Sequence, residues 1–476
     1  MMSIELIFGP MLLAPFVYFI SRGAEWVAKW AALALFVALL IISVDMYSAL
    51  PADGGFLVLG DYLRVPGIDY ALTLQVDALS VAMLILTAAL LILVVFTSWE
   101  EKMQGAYFSL LILFAGPIFG VFMTTNLLWF FIFWEMTLVP MLFLVGVWGG
   151  ERKVYAAIKF FLYTHFASML MLVGFFLVYK QTGQMDWMNI KEAMIATPAL
   201  VWWLMFIGFA AKLPLFPFHT WLPDAHVEAP SSISVLLAGV LLKMGAYGLI
   251  RFVVEMMPVE TQHFAIYMVV LGLTTTIFAG MLAVYERHIK KMVAYSSISH
   301  MGLVVVAIAT VSYDGLSAAL YEMIGHALVI SPMFLIAGWV HHKTHTWYMD
   351  EMGGIMQKAP YVSAIFVLAG MAALGLPGTM GFVGELTIIV SAIKAYGWWI
   401  AVAAMASLIS AGYVIWAVRR AFHAEISPVV AKSKFDMSVP EFTALCIYSV
   451  LIVYFGVHPQ PIFDIANNAF AMFGGM

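Results

Sequence analysis

Runs of about twenty apolar residues, the length that crosses a bilayer as a helix rising 1.5 Å per residue, recur from one end of the chain to the other. ALSVAMLILTAALLILVVFT over 78–97 is one of them. They are too continuous for a membrane barrel, whose strands alternate over roughly ten residues. Fourteen such segments are read near 3–21, 30–49, 79–98, 107–123, 126–147, 155–179, 199–221, 231–253, 263–285, 291–310, 315–340, 360–393, 397–418 and 440–461. Only 10% of the 476 residues are charged, 64% are hydrophobic and mean hydropathy is +0.99, which excludes a soluble fold. The fold class is an all-α polytopic membrane protein, and residues 1–476 read as a single membrane domain. Apolar sequence follows Glu5 directly, with neither a basic stretch nor a small-residue cleavage motif, so the first segment reads as a retained helix.

Composition also narrows the function. The net charge of -5 is scattered, which gives no nucleic-acid footprint. The single cysteine, Cys446, excludes an internal disulfide and a cysteine-ligated iron–sulfur cluster. No Walker loop, dinucleotide fingerprint or redox-cofactor signature appears, so no cofactor is assigned to this chain. Its energy must come from an ion gradient or from partner subunits.

Orientation follows from the basic residues. Fifteen of the 22 Lys and Arg fall in the odd-to-even connections, among them Arg22, Lys153, Lys290 and Arg419. Five fall on the other side: Arg64, Lys180, Lys191, Arg251 and Lys394. The positive-inside rule puts the richer side in the cytoplasm and both termini outside, in the plasma membrane of a prokaryote. The outer loop at 50–78 differs in kind, with turn signals at Asp53-Gly54-Gly55 and Pro66-Gly67 and the alternation TLQVD, which predict a small hairpin. The linker at 421–439 is read as a cytoplasmic crossing with a short interfacial helix.

Charge inside the apolar segments carries the functional signal. A charged side chain at mid-bilayer costs about 2.5–3.5 kcal/mol on insertion scales, so it persists where it faces a polar interior. Lys212 and Lys243 both lie within such segments. Pro214 and Pro217 follow Lys212 and should break segment seven near its middle, which is tolerated where backbone lines a protein cavity. Glu135 lies near the middle of LLWFFIFWEMTLVPMLFLVGV, with Lys212 as its evident partner. Glu385 follows a second break at GLPGTMGFVGE. His300 in SSISHMG and His326 in YEMIGHALVISP suit a proton relay, because imidazole gives and takes a proton near neutral pH. His165 and His219 are accessory candidates. Each has a structural alternative: a neutral acid bonded within the bundle, a lysine snorkelling to the interface, a buried hydrogen-bonded histidine. His219, Asp224, His226 and Glu228 match no standard metal spacing, and His341, His342 and His345 read as a solvated loop.

Segments seven and twelve thus share an ionisable residue beside helix-breaking prolines. Segments four to eight and nine to thirteen form two five-helix blocks which, odd in number, are inverted relative to each other, with discontinuous helices 7 and 12. The divisions are 1–106 for the first three helices and outer loop, 107–253 and 263–420 for the two inverted repeats, and 421–476 for the linker and last helix. Alternating acids, lysines and histidines are the parts of a proton relay, and neither a roomy solute site nor a ring of channel carboxylates is visible.

The segments FIFWEMTLVPMLFLVGVWGGER, KFFLYTHFASMLML, AAKLPLFPFHTWLPDAHVEAPSSISVLLAGVLLKMGAYGLIR, KKMVAYSSISHMG and GLPGTMGFVGE resemble the antiporter-like membrane subunits of respiratory complex I, or NADH-quinone oxidoreductase. Related complexes such as F420H2 dehydrogenase carry similar subunits. The likeness covers essentially the whole chain, and Glu385, where the other antiporter-like types usually have lysine, points to the M or chain-4 type. The resemblance implies fourteen helices with two inverted repeats. It also implies a proton-translocating subunit of an enzyme whose quinone-like acceptor, FMN or FAD and iron–sulfur clusters belong to partner subunits, alongside other antiporter-like and small membrane subunits. The roles it implies are Glu135 and Lys212 as an interacting pair, Lys243 as the connecting lysine, His300 and His326 as relays and Glu385 as the terminal site; it leaves His165 without an assigned role. Two alternatives stand beside this reading: a subunit of a multisubunit cation/proton antiporter, and a non-conducting spacer in a membrane arm.

Overall fold

The structure, a computed structural model, describes residues 3–51, 54–65, 70–190 and 195–473. Among these, eleven helices are long and apolar enough to cross a membrane, joined by three shorter apolar helices. In chain order the helices used below are α1 (Glu5–Ser21), α2 (Trp26–Ser48), α3 (Ala78–Thr97), α4 (Gln104–Met123), α5 (Leu127–Trp148), α6 (Lys153–Thr182), α7 (Pro198–Lys212) and α8 (Trp221–Glu228). There follow α9 (Ser231–Glu255), α10 (Pro258–Tyr285), α11 (Ile289–Ala309), α12 (Tyr313–Thr344), α13 (Pro360–Ala373), α14 (Met380–Tyr396), α15 (Trp398–Phe422) and α16 (Val439–Val457).

The helix starts are written in the sequence. Asp77 accepts from the Ser80 amide to cap α3, Asn126 accepts from Leu128 and Trp129 to cap α5, and Ser438 with Glu441 forms a reciprocal capping box on α16. The breaks are written there too. α7 stops at Lys212 and helix resumes at Trp221, with the freed Phe216 amide donating to Thr275 Oγ1 at 2.9 Å. α13 stops at Ala373 and α14 starts at Met380, across a turn in which Gly375 and Gly378 hold φ of +79° and +88°.

Contacts resolve the chain into two compact units, one of Met1–Lys212, Lys243–Phe264 and Ile465–Met476, the other of Leu213–Leu242 and Ala265–Asp464. In the first, the predicted hairpin is present: β1 (Leu57–Val65) pairs antiparallel with β2 (Tyr70–Val76), while Ala52, Asp53 and Pro66-Gly67 lie outside the described residues. The Thr73 carbonyl of β2 accepts from the Thr125 amide, which ties the hairpin to the α4–α5 turn.

Each unit contains the same local device. In the first, the Leu127 amide donates to the Met185 carbonyl at 2.8 Å and the Trp187 amide to Thr125 at 3.2 Å, and a 3₁₀ turn follows at Trp187–Asn189. In the second, the Ile289 amide donates to Trp347 at 3.0 Å and the Met349 amide to Arg287 at 3.0 Å, followed by a 3₁₀ turn at Met349–Glu351. All four positions recur at one spacing of 162 residues: 125 to 287, 127 to 289, 185 to 347 and 187 to 349. An N-cap side chain sits at the corresponding place in both, Asn126 and His288.

Two basic residues that the sequence placed in connections are buried. Arg251, in the last turns of α9, is 1% exposed and forms ion pairs with Asp77 and with Glu255, the latter at 2.8 Å. Its guanidinium also lies over the rings of Phe56, Trp187 and Tyr247 at 5.2–5.7 Å. Lys290, in the first turn of α11, donates to the carbonyls of Val227 and Ala229, supplying donors to the last carbonyls of α8. Both lie near helix ends, where hydropathy cannot separate a buried ion pair from a solvated one. Removing Lys290 from the fifteen and Arg251 from the five leaves fourteen against four, so the charge bias keeps its sign. Of His341, His342 and His345, expected in a loop, the first two continue α12 to Thr344, where His341 stacks on Trp347 at 3.8 Å and Lys343 beside them pairs with Asp436 at 2.8 Å, while His345 lies just past the helix as its C-cap.

Candidate functional site

Three of the candidate residues lie on the most enclosed of the long helices, whereas Glu135 and His165 are part-exposed on α5 and α6. α9, α11 and α12, which carry Lys243, His300 and His326, are buried along nearly all their length. Lys212, Lys243, His300, His326, Glu385 and His219 are all buried, with both lysines at most 1% exposed, which removes the snorkelling reading for them.

In the first unit, Glu135 of α5 faces α6. Its carboxylate is held by His165 Nδ1 at 2.5 Å and accepts from the Ser168 hydroxyl. The His165 ring stacks on Phe161 at 5.6 Å, which fixes its plane. The accessory histidine is therefore the direct partner of the glutamate. Lys212 makes no hydrogen bond to it: the ammonium lies over the Trp134 and Phe160 rings at 5.3 and 5.5 Å, close enough to Glu135 for their charges to interact. Aromatic faces offer a cation partial compensation without fixing its proton, whereas a carboxylate in direct contact would hold it. Lys243 is fully buried two residues after the π-helical turn Leu237–Leu241 of α9. Such turns widen the backbone ladder and recur at functional positions in helices.

In the second unit, His300, Glu385 and His326 come together. His300 Nδ1 lies 3.8 Å from Glu385 Oε1, and the two imidazole rings are 5.7 Å apart. Glu385 Oε2 accepts from the Ser407 hydroxyl, and the same oxygen would stand 2.9 Å from a Cβ on Gly375. The positive φ of that glycine and its missing side chain both serve the turn that presents Glu385. His300 Nε2 faces the Tyr413 hydroxyl at 3.5 Å, itself bonded to Ser410 at 3.0 Å. A cavity beside His300 and His326 leaves about 10 Å³ for a water's centre, near the threshold for one water.

One group in this cluster was missed from sequence. Glu322 of α12 is 2% exposed, and its Oε1 stands 3.4 Å from His300 Nδ1, nearer than Glu385. Its signal was its place four residues before His326, one turn away on the same helix face. His219 lies apart from this cluster, against Phe216 and Phe278, and His226 stacks on Phe334 at 4.6 Å. Among the described residues no group of three or more His, Cys, Asp or Glu is placed to hold a metal ion.

A multi-pass, mainly helical chain that carries rows of acids, lysines and histidines within its membrane-length helices defines an antiporter-like membrane protein. The family model described as NADH:quinone oxidoreductase/Mrp antiporter, TM, matches residues 124–410. NADH-quinone oxidoreductase subunit M of Rickettsia bellii is 35% identical over 446 residues, 92% of this chain and 90% of that one. F(420)H(2) dehydrogenase subunit M of Methanosarcina mazei is 32% identical over 453 residues, 90% of each. Among solved structures, a chain of respiratory complex I from Thermus thermophilus superposes with a TM-score of 0.86 at 24% identity, covering 100% of both chains. A chain of the Mrp complex from Dietzia gives 0.90 at 19% identity, over 99% of this chain and 97% of that one. The chain belongs to the NADH-quinone oxidoreductase subunit M family, the antiporter-like membrane subunits of complex I-type enzymes. The M-type reading drawn from Glu385 agrees with these relatives.

The separation of Glu135 from Lys212 yields a prediction for proton pumping. If charge on one sets the proton affinity of the other through space, Glu135→Gln should lower pumping in the assembled complex about as far as Lys212→Ala. The double variant should then be little worse than either, since groups acting as one unit are non-additive. Losses that multiply in that cycle would separate the two.

Proposed function

We propose that this chain is a proton-translocating subunit in the membrane arm of a complex I-type oxidoreductase. Electron transfer to a quinone-like acceptor in partner subunits drives its changes of charge. FMN or FAD and iron–sulfur clusters reside in those partners, and other antiporter-like and small membrane subunits flank it. In this reading Glu135 and Lys212 take up the proton, Lys243 connects, His300 and His326 relay, and Glu385 is the terminal site. His165 belongs with Glu135 as its hydrogen-bond partner, and His219 stays an accessory candidate.

The observation that carries the proposal is the burial of Lys243. A non-conducting spacer gains nothing from an enclosed lysine, whose cost is met by function. The finer fold belongs to the same reading: fourteen spans, with α7/α8 and α13/α14 as discontinuous helices 7 and 12, and inverted repeats over 107–253 and 263–420. Hydrogen bonds recurring at one spacing of 162 residues support the repeat.

Lys243→Ala should leave the complex assembled while proton pumping per electron falls steeply in proteoliposomes. Lys243→Arg should rescue poorly, because arginine does not release its proton in proteins. Full pumping in Lys243→Ala would reduce the residue to packing. For orientation, the charge bias places both termini outside and the α5–α6 connection in the cytoplasm. A cysteine at Lys153 should then label only after permeabilisation; labelling in intact cells would reverse the topology and the direction of the pathway.

A further inference from the structure

The His300 site contains one more acid than a simple imidazole–carboxylate relay needs. Nδ1 faces two carboxylates, Glu322 Oε1 at 3.4 Å and Glu385 Oε1 at 3.8 Å, while Nε2 faces the Tyr413 hydroxyl. Glu322 does not arise there as packing filler. Its second oxygen, Oε2, is buried without a hydrogen-bond partner and occupies the space a Cβ on Gly384 would take. An apolar side chain of similar volume would fill that space without desolvating a carboxylate, and a purely structural acid would have both oxygens bonded.

The internal repeat supplies a second, independent observation. At the spacing of 162 residues the counterpart of Glu322 is Phe160, and the Phe160 ring is one of the two that lie over the Lys212 ammonium. The same position thus faces the principal ionisable group of each unit. In one unit it carries an aromatic ring, in the other a second acid.

We propose that Glu322 is a proton-carrying member of this site, sharing the His300 imidazole with Glu385. Counting charges shows why two acids matter. With His300 neutral and both acids ionised the cluster carries two negative charges; one added proton leaves one, whichever member holds it, and a second makes the cluster neutral. A proton arriving on His300 Nδ1 has two acceptors within 4 Å, so it passes to Glu322 or Glu385 and the imidazole is left free for the next. The bond broken is N–H and the bond formed is carboxyl O–H, with no other reactant. Besides these three, the groups that bear on Glu322 are His326 one turn along α12, Tyr321 beside it and Tyr413 across His300.

This inference rests on the pumping function, and its test is built to fail separately. The intact complex is reconstituted into vesicles, and protons translocated per electron are measured for Glu322→Gln and Glu322→Asp. Glutamine keeps the shape and can still bond His300 but carries no proton, so a structural role predicts wild-type yield. A proton-carrying role predicts a loss of protons per electron that approaches the loss in Lys243→Ala, because this chain supplies only its own share beside the other antiporter-like subunits. Aspartate, a carboxylate with shorter reach, should recover only part of the yield and shift its pH profile. Wild-type pumping by Glu322→Gln beside an inactive Lys243→Ala would overturn the role of Glu322 and leave the pumping function standing. Should the glutamine variant not assemble, the aspartate variant decides: an assembled complex with a lowered yield and a shifted pH profile supports the proposal, and an unchanged yield and profile overturns it.

Discussion

Everything in this bundle answers to the cost of charge in an apolar medium. A buried ion persists only when other groups replace water around it, and the chain does so in distinct ways. Arg251 is matched by two carboxylates in direct contact and three aromatic faces, and removing one partner of such a buried pair typically costs about 3–5 kcal/mol. Lys212 is matched incompletely, by ring faces and a carboxylate beyond hydrogen-bond reach. The first arrangement locks charge in place and holds the start of α3 to the end of α9. The second leaves a charge whose proton can be lost or regained when its surroundings change.

In the proposed reading, that contrast separates scaffold from relay. Around Arg251 the partners are short and reciprocal, and arginine does not give up its proton. Around Glu135 and His300 the partners are histidines, hydroxyls and second acids, each of which can accept or release a proton. The helix breaks serve the same end. A turn at Gly375 presents Glu385 where an unbroken helix would have turned its backbone amides inward on themselves, and the π-helical turn before Lys243 has a comparable place in α9.

Much of this was legible in the sequence, for physical reasons. Apolar runs of bilayer length mark helices, prolines mark breaks, and a lysine in the middle of an apolar run has few places to go but inward, so Lys212, Lys243 and the two interruptions were readable. Residues near helix ends were not. Arg251 and Lys290 lie within a turn or two of a terminus, where a solvated charge and a buried ion pair look alike in one dimension. Partner choice was equally hidden. Opposite charge suggested Lys212 for Glu135, but the neighbour across α5 and α6 is His165, a matter of helix facing. Glu322 was overlooked beside His326 because its meaning depends on α11 and α14 meeting α12, a tertiary fact. The repeat was visible only as two proline-interrupted segments, since its clearest mark is a set of backbone hydrogen bonds that carry no side-chain signature.

The central claim is that acids buried in this chain change protonation as the complex turns over. Time-resolved infrared difference spectroscopy of the assembled complex, started by adding electron donor, reads that change in the carboxylic-acid C=O stretching region. The account predicts a carboxyl band that appears and decays in step with acceptor reduction and loses a component in Glu385→Gln. Normal turnover and proton release with a carboxyl region that is silent, or identical in the two complexes, would contradict it.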